Sequence, residues 1–185
     1  MTEISRRQFL ATSGIAAASI WITAEARDLL AAGKHAVTAN RFQVLSDADG
    51  ADLEAAMAQI IPTDETPGAR EARVVYFVDH SLGTFAKDQR ATFEKGAKTL
   101  RTRAAKVSAG AKSFADLTSA QQIAVLTAME KDKDPFFPQL RAATVTGMLA
   151  NPEYGGNADK TGWKMIGFID QFSWQTPFGW YDRNA

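Results

Sequence analysis

No cysteine occurs in the 185 residues, and histidine occurs only twice, at His35 and His80. The first absence excludes a disulfide scaffold, a cysteine-ligated zinc or iron–sulfur site, covalent haem attachment through Cys-x-x-Cys-His, and thiol catalysis. The second leaves little for acid–base or metal chemistry. No Glu-x-x-His is present, so the helical-bundle type of di-iron or di-manganese centre lacks its ligand motif. Excess charge is missing too: 21 Lys+Arg balance 21 Asp+Glu. A nucleic-acid binder or a polybasic membrane-surface protein needs a surplus of cations, and neither fits. No G-x-G-x-x-G loop or P-loop lysine marks a nucleotide site.

What is there suffices for a packed core. Hydrophobic residues make up 45% and aromatics 10% of a length that suits one domain. The N-terminus is the most informative stretch. Ser5-Arg6-Arg7-Gln8-Phe9-Leu10 opens an uncharged run that lasts to Ala24. A cationic head, a short apolar run and small residues before Arg27 describe a secretory signal, and paired arginines followed by Phe9 and Leu10 match the twin-arginine pattern. Phe9 to Ala24 is 16 residues, short of the ~20 that a spanning helix needs. Ala24-Glu25-Ala26 offers a cleavage site. The expected organisation is a twin-arginine signal over 1–26, a flexible tether over 27–45 and one helical domain over 46–185. Twin-arginine export carries folded cargo, often loaded with cofactor, yet this chain has no evident means of holding one. The signal then makes sense if it serves a partner.

From Leu45 onward the apolar spacing is helical. Ser46 reads as an N-cap with Asp49 three positions on, and Leu53, Met57, Ile60 and Ile61 form one face that Pro62 ends. A second helix is expected over 69–82, although Val74-Val75-Tyr76-Phe77-Val78 alone also suits a buried strand. A third fits 88–107, with Phe93, Ala97, Leu100, Ala104 and Val107 inward and Arg90, Arg101, Arg103 and Lys106 on a solvated face. Thr118 and Gln121 have capping-box spacing before a fourth helix that carries Ile123, Leu126 and Met129 to the core. A fifth takes Phe137, Leu140, Thr144 and Met148. The expected fold is all-α, a small bundle of about five helices with a long irregular aromatic-rich C-terminal segment from Asn151.

Three features invite chemistry. His80 lies beside Asp79, but neighbours on a helix do not face each other, so the reading is a surface or hydrogen-bonded histidine rather than a general base. Tyr154-Gly155-Gly156-Asn157 with Gly162 and Trp163 follows a helix rather than a strand, and reads as a tight structural turn. Phe168, Phe172, Trp174, Phe178, Trp180 and Tyr181 crowd into the C-terminal segment. They either fill grooves of the bundle or meet a partner, with Trp174, Phe178, Trp180 and Tyr181 the candidate interface.

Taken together, four motifs resemble the gluconate 2-dehydrogenase subunit 3 family. They are the twin-arginine start; Leu53 to Pro67 with its Ile60-Ile61-Pro62-Thr63-Asp64 stop; Phe-x-x-Leu-Thr-x-x-Gln-Gln from Phe114; and Tyr154-Gly155-Gly156-Asn157 with Gly162-Trp163 and Ile166-Gly167. The resemblance implies a non-catalytic small subunit, binding no cofactor itself. FAD would sit in a large subunit of the glucose-methanol-choline oxidoreductase type, and haem c in a cytochrome c subunit. It also implies export through the twin-arginine translocase and a periplasmic location at the inner membrane within the complex. The resemblance carries over no catalytic residue and no metal ligand. Two other readings stay open: a stand-alone exported binding or scaffold protein without a redox partner, and an exported enzyme built on His80 and the Gly156–Trp163 region.

Overall fold

The computed structural model describes residues 41–171 and 173. Six α-helices follow one another there: α1 (Asp47–Ile60), α2 (Val74–Gly83), α3 (Arg90–Val107), α4 (Ser119–Lys131), α5 (Phe136–Leu149) and α6 (Thr161–Ile166). Short 3-10 turns lie at Lys87–Gln89, Pro152–Tyr154 and Ala158–Lys160. No strand occurs among the described residues, so the all-α expectation holds.

Helix starts follow local chemistry. The Ser46 hydroxyl accepts the Asp49 N–H at 3.1 Å and donates to the Asp49 carboxylate at 2.7 Å, closing the first turn of α1. At α4 the Thr118 hydroxyl accepts the Gln121 N–H, and the Gln121 side-chain oxygen accepts the Thr118 N–H at 3.0 Å, a complete capping box. α1 ends before Pro62, which cannot donate into the helix and disfavours helical backbone at Ile61. The connector is fastened through Glu71, whose carboxylate accepts the Thr63 hydroxyl at 2.7 Å and the Gly68 N–H at 2.8 Å. The Thr63 hydrogen bond is the main reason that this carboxyl sits below the usual range.

α1 touches α2, α3, α4 and α5, and α5 touches every other helix, so these two form the middle of the bundle. Leu53, Met57, Phe93, Leu100, Phe114, Met129, Leu140 and Met148 are fully buried among them. Each such side chain contributes roughly 1.5–3 kcal/mol by leaving water. Phe93 and Phe136 meet edge to face at 5.4 Å.

Several expectations need correction. Val74 to Val78 is helical, and the strand alternative falls: α2 packs between α1 and α5 with Val74, Val75, Phe77 and Val78 all buried, so no polar face shows the helical period. The helix begins at Val74 rather than at 69. Ile123 is 50% exposed. Its expected place is taken by Gln122, whose amide donates to the Phe114 and Leu117 carbonyls and accepts from the Gln59 side-chain amide at 2.7 Å. With both ends of that amide bonded, burial costs little, and the inward stripe becomes Gln122, Val125, Leu126 and Met129. Val107 is 45% exposed at the end of α3. Phe136 is buried whereas Phe137 is only partly so. Arg101 is no solvated residue: it donates to Asp49 at 2.6 Å and to Asp52 at 2.9 Å, and the Asp52 side chain is completely buried. Burial disfavours the Arg101 charge, but the two carboxylates outweigh it and raise its pKa. Arg103 likewise pairs with Asp132 and Asp134. Finally, α6 lies within the segment expected to be irregular; six residues are too few to show a period.

Candidate functional site

α2 and α5 hold the chain at the two places where it enters and leaves the helical body. On the entering side, Asp79 of α2 is buried. Its carboxylate accepts three successive backbone N–H groups, from Gln43 at 2.7 Å, Val44 at 3.0 Å and Leu45 at 2.8 Å. Residues 42–45, expected to end the tether, are thus strapped across α2. Leu45 is buried, and Phe42 stacks on Tyr76 at 5.2 Å with the Arg73 guanidinium 4.7 Å from the same ring. Charge-assisted bonds of this type are about twice as strong as neutral ones, and three on one carboxylate fix its orientation.

Asp79 commits its carboxylate to these backbone groups and makes no hydrogen bond to His80. His80 is 5% exposed, and neither ring nitrogen has a hydrogen-bond partner. The expectation of a surface or hydrogen-bonded histidine is overturned: helix packing, not polarity, places this ring. Burial lowers its pKa, with the Asp79 charge opposing, so the neutral imidazole is favoured. A neutral, enclosed imidazole without an orienting carboxylate is a poor general base for solvent-borne substrate.

On the leaving side, Tyr154, Gly155, Gly156, Asn157, Gly162 and Trp163 come together at the end of α5. Pro152–Tyr154 forms a 3-10 turn capped by the Asn151 side chain, and Gly155 turns the chain at φ 95°. Gly156 lies so close to α5 that a Cβ would run into the Gly147 carbonyl and come within 2.9 Å of the Phe77 Cβ. Asn157, buried and at φ 47°, donates through its side-chain amide to the Ala150 carbonyl at 2.9 Å and accepts the Gly162 N–H at 2.7 Å. A Cβ on Gly162 would collide with the Met148 carbonyl. The Trp163 indole N–H donates to the Leu149 carbonyl at 2.8 Å, and its ring meets Phe168 at 5.0 Å. The Ala158 N–H reaches the Ala72 carbonyl at 3.1 Å, which ties the turn to the approach to α2. The Asn157 amide and the Trp163 indole thus satisfy the Ala150 and Leu149 carbonyls at the end of α5, and these two polar side chains are occupied in doing so.

Ser5, Arg6, Arg7, Phe9 and Leu10 of the export pattern, and Trp174, Phe178, Trp180 and Tyr181 of the candidate interface, lie outside the described residues. No grouping of His, Asp and Glu suited to a metal ion occurs among the described residues, and no described helix is long and apolar enough to cross a membrane. Sequence reasoning missed Asp79. The available signal was an acid inside the apolar run of α2, which a helix buried on all sides admits only if the acid is bonded.

Fold and fastenings together define a small all-α body that binds the segments at 42–45 and 154–163 to its helices and shows no catalytic constellation among its described residues. Its family follows from comparison with known proteins. A model of gluconate 2-dehydrogenase subunit 3 matches residues 47–170, and the chain belongs to this family of accessory subunits. The matched region runs from the first residue of α1 to Asp170, so it takes in the body and the Tyr154–Trp163 turn. No curated protein matches the chain, and no solved structure does.

Proposed function

We propose that this chain is the export and stabilising subunit of a periplasmic, FAD-dependent sugar or sugar-acid dehydrogenase. It carries the flavin-loaded large subunit through the twin-arginine route and remains bound to it at the inner membrane, where a cytochrome c subunit takes the electrons. The supporting observation is the coincidence of Ser5-Arg6-Arg7-Gln8-Phe9-Leu10 with membership of an accessory-subunit family. A folded-protein export signal on a chain without an evident cofactor site is accounted for by a folded partner. The Asp79 fastening supports this reading, because it joins the segment that follows the signal to the core of the body. Trp174, Phe178, Trp180 and Tyr181 are the anchors proposed for the large subunit, since large aromatics dominate interface energetics.

The test replaces both arginines, as Arg6→Lys with Arg7→Lys. Charge is kept while the paired planar guanidinium groups are lost. Cell fractionation is expected to show this chain and the flavoprotein disappearing together from the periplasm. Normal export of both overturns the reading.

A further inference from the structure

The charge on α3 is lopsided. Its 18 residues, RATFEKGAKTLRTRAAKV, hold six cations against Glu94. Arg90 pairs with Glu94, Arg101 with Asp49 and Asp52, and Arg103 with Asp132 and Asp134. Lys95, Lys98 and Lys106 remain, exposed and without an anionic partner among the described residues. All three line a groove of about 560 Å³ between α3 and α4. The chain as a whole is neutral, so this concentration does not follow from a generally basic composition.

The groove has an apolar floor. Val107, the end of the inward stripe of α3, opens into it beside Ala124, Val125 and Ala128 of α4. Ala124 and Ala128 are four residues apart on one helix face, and their small side chains let another backbone approach closely. Lys95, Lys98 and Lys106 lie along one side of α3 and span about 16 Å at ~1.5 Å per residue. An apolar floor with a cationic edge of that length is the complement of about three turns of an amphipathic helix with acidic residues along one edge.

Two other ligand classes fit less well. The Thr99 and Thr102 hydroxyls in the groove wall donate to the Lys95 and Lys98 carbonyls of their own helix, which leaves a sugar or phosphate few fixed donors. A bilayer surface would meet the exposed Val107 and Ala124 but would leave the half-buried Ala128 between the helices uncovered.

We propose that the α3–α4 groove docks an acidic amphipathic helix of the flavoprotein subunit. This rests on the export-partner reading above, and the Lys95, Lys98 and Lys106 ammonium groups set the register of that helix. Steering by exposed charges acts on association and on salt dependence more than on buried packing.

The test compares wild-type chain with the Lys95→Glu, Lys98→Glu, Lys106→Glu triple variant, each co-expressed with tagged flavoprotein. Wild-type complex should form at about 0.1 M salt and weaken about tenfold toward 1 M, where the screening length falls to ~3 Å. The triple variant should bind at least about tenfold more weakly at low salt while melting like wild type. A matching Lys→Arg triple should retain binding. Carbodiimide, which condenses a lysine amine with a carboxylate to an amide with loss of water, should link Lys95, Lys98 or Lys106 to Asp or Glu of the flavoprotein. Undiminished binding of the Glu triple overturns the groove while leaving the export reading intact. The same holds if assembly is unchanged but the variant loses binding to phosphatidylglycerol vesicles, which makes the groove a lipid contact. If wild-type chain itself does not co-purify with flavoprotein, the export reading fails and takes the groove proposal with it.

Discussion

The strap at residues 42–45 and the turn at 154–163 solve the same problem with different chemistry. Each fastens irregular backbone to the helical body, and each must satisfy polar groups away from water. The entering strap does so with one anion: a single Asp79 carboxylate collects three N–H groups. The leaving turn is fastened to α5 without charge, and its ion pair, Lys160 with Asp170 at 2.8 Å, is exposed and involves no residue of α5. The turn relies on a neutral amide, Asn157, and on two glycines whose missing Cβ atoms let backbone touch backbone. The first arrangement concentrates its strength in one side chain, whereas the second spreads it over shape. An unpartnered His80 sits beside the first fastening, whereas the bonds that tie the second to the end of α5 come from the neutral Asn157 amide and Trp163 indole.

The comparison is broken most severely at Asp79. Asp79→Ala strands three donors, one of them buried, and bonds to charged groups contribute about 1.5–3 kcal/mol each without strict additivity. A loss of about 4 kcal/mol in denaturant unfolding is expected on that basis, with new protease cleavage confined to residues 42–45 under native conditions. If the strap stays protected, Asp79 is not what holds it.

Gly162→Ala tests the other fastening. Its Cβ meets the Met148 carbonyl, which belongs to α5 and cannot swing away as a side-chain tip would. Overpacking of this kind costs about 1–3 kcal/mol, and about 3 kcal/mol is expected here, with faster amide exchange at the end of α5 and in α6 while the strap stays protected. An alanine accommodated without loss would show that the turn is looser than its contacts indicate.

His80→Leu has the smallest expected effect and separates the two regions by pH. Because burial keeps the folded imidazole pKa below its ordinary value, the unfolded chain takes up a proton first as pH falls below about 6.5. Stability from this site is whole above that pH and declines as pH drops toward the lower folded value. The leucine removes the titration and two unbonded nitrogens, so the variant should gain about 1 kcal/mol at pH ~5 relative to wild type, and less at pH ~8. Parallel melting curves from pH ~8 to ~5 for the two proteins would remove His80 from the account.

What was readable in advance depends on how far each residue must look for its partner. Ser46 and Thr118 cap their helices through residues three positions on, so the starts of α1 and α4 were plain from spacing. The stripe of Phe93, Ala97, Leu100 and Ala104 was plain as well, since α3 has one wet face. The same rule failed at Gln122 because its partners include Gln59, 63 positions away. The bonds of Asp79 span 34 to 36 positions, and that of Asp52 to the Phe114 N–H spans 62. α2 hid its helical period because neighbours cover it on every side.

The sequence by itself determined an all-α chain, its family motifs and most helix boundaries, since caps, prolines and apolar periodicity act over a few residues. Only the tertiary structure decided which polar side chains went inside. Burying Gln122, Asp52 and Asp79 is tolerable only once distant backbone and side chains have arrived to bond them, and the distance between partners along the chain leaves no local pattern. His80 was decided in the same way and with the opposite result: packing carried it inside, and no partner came with it.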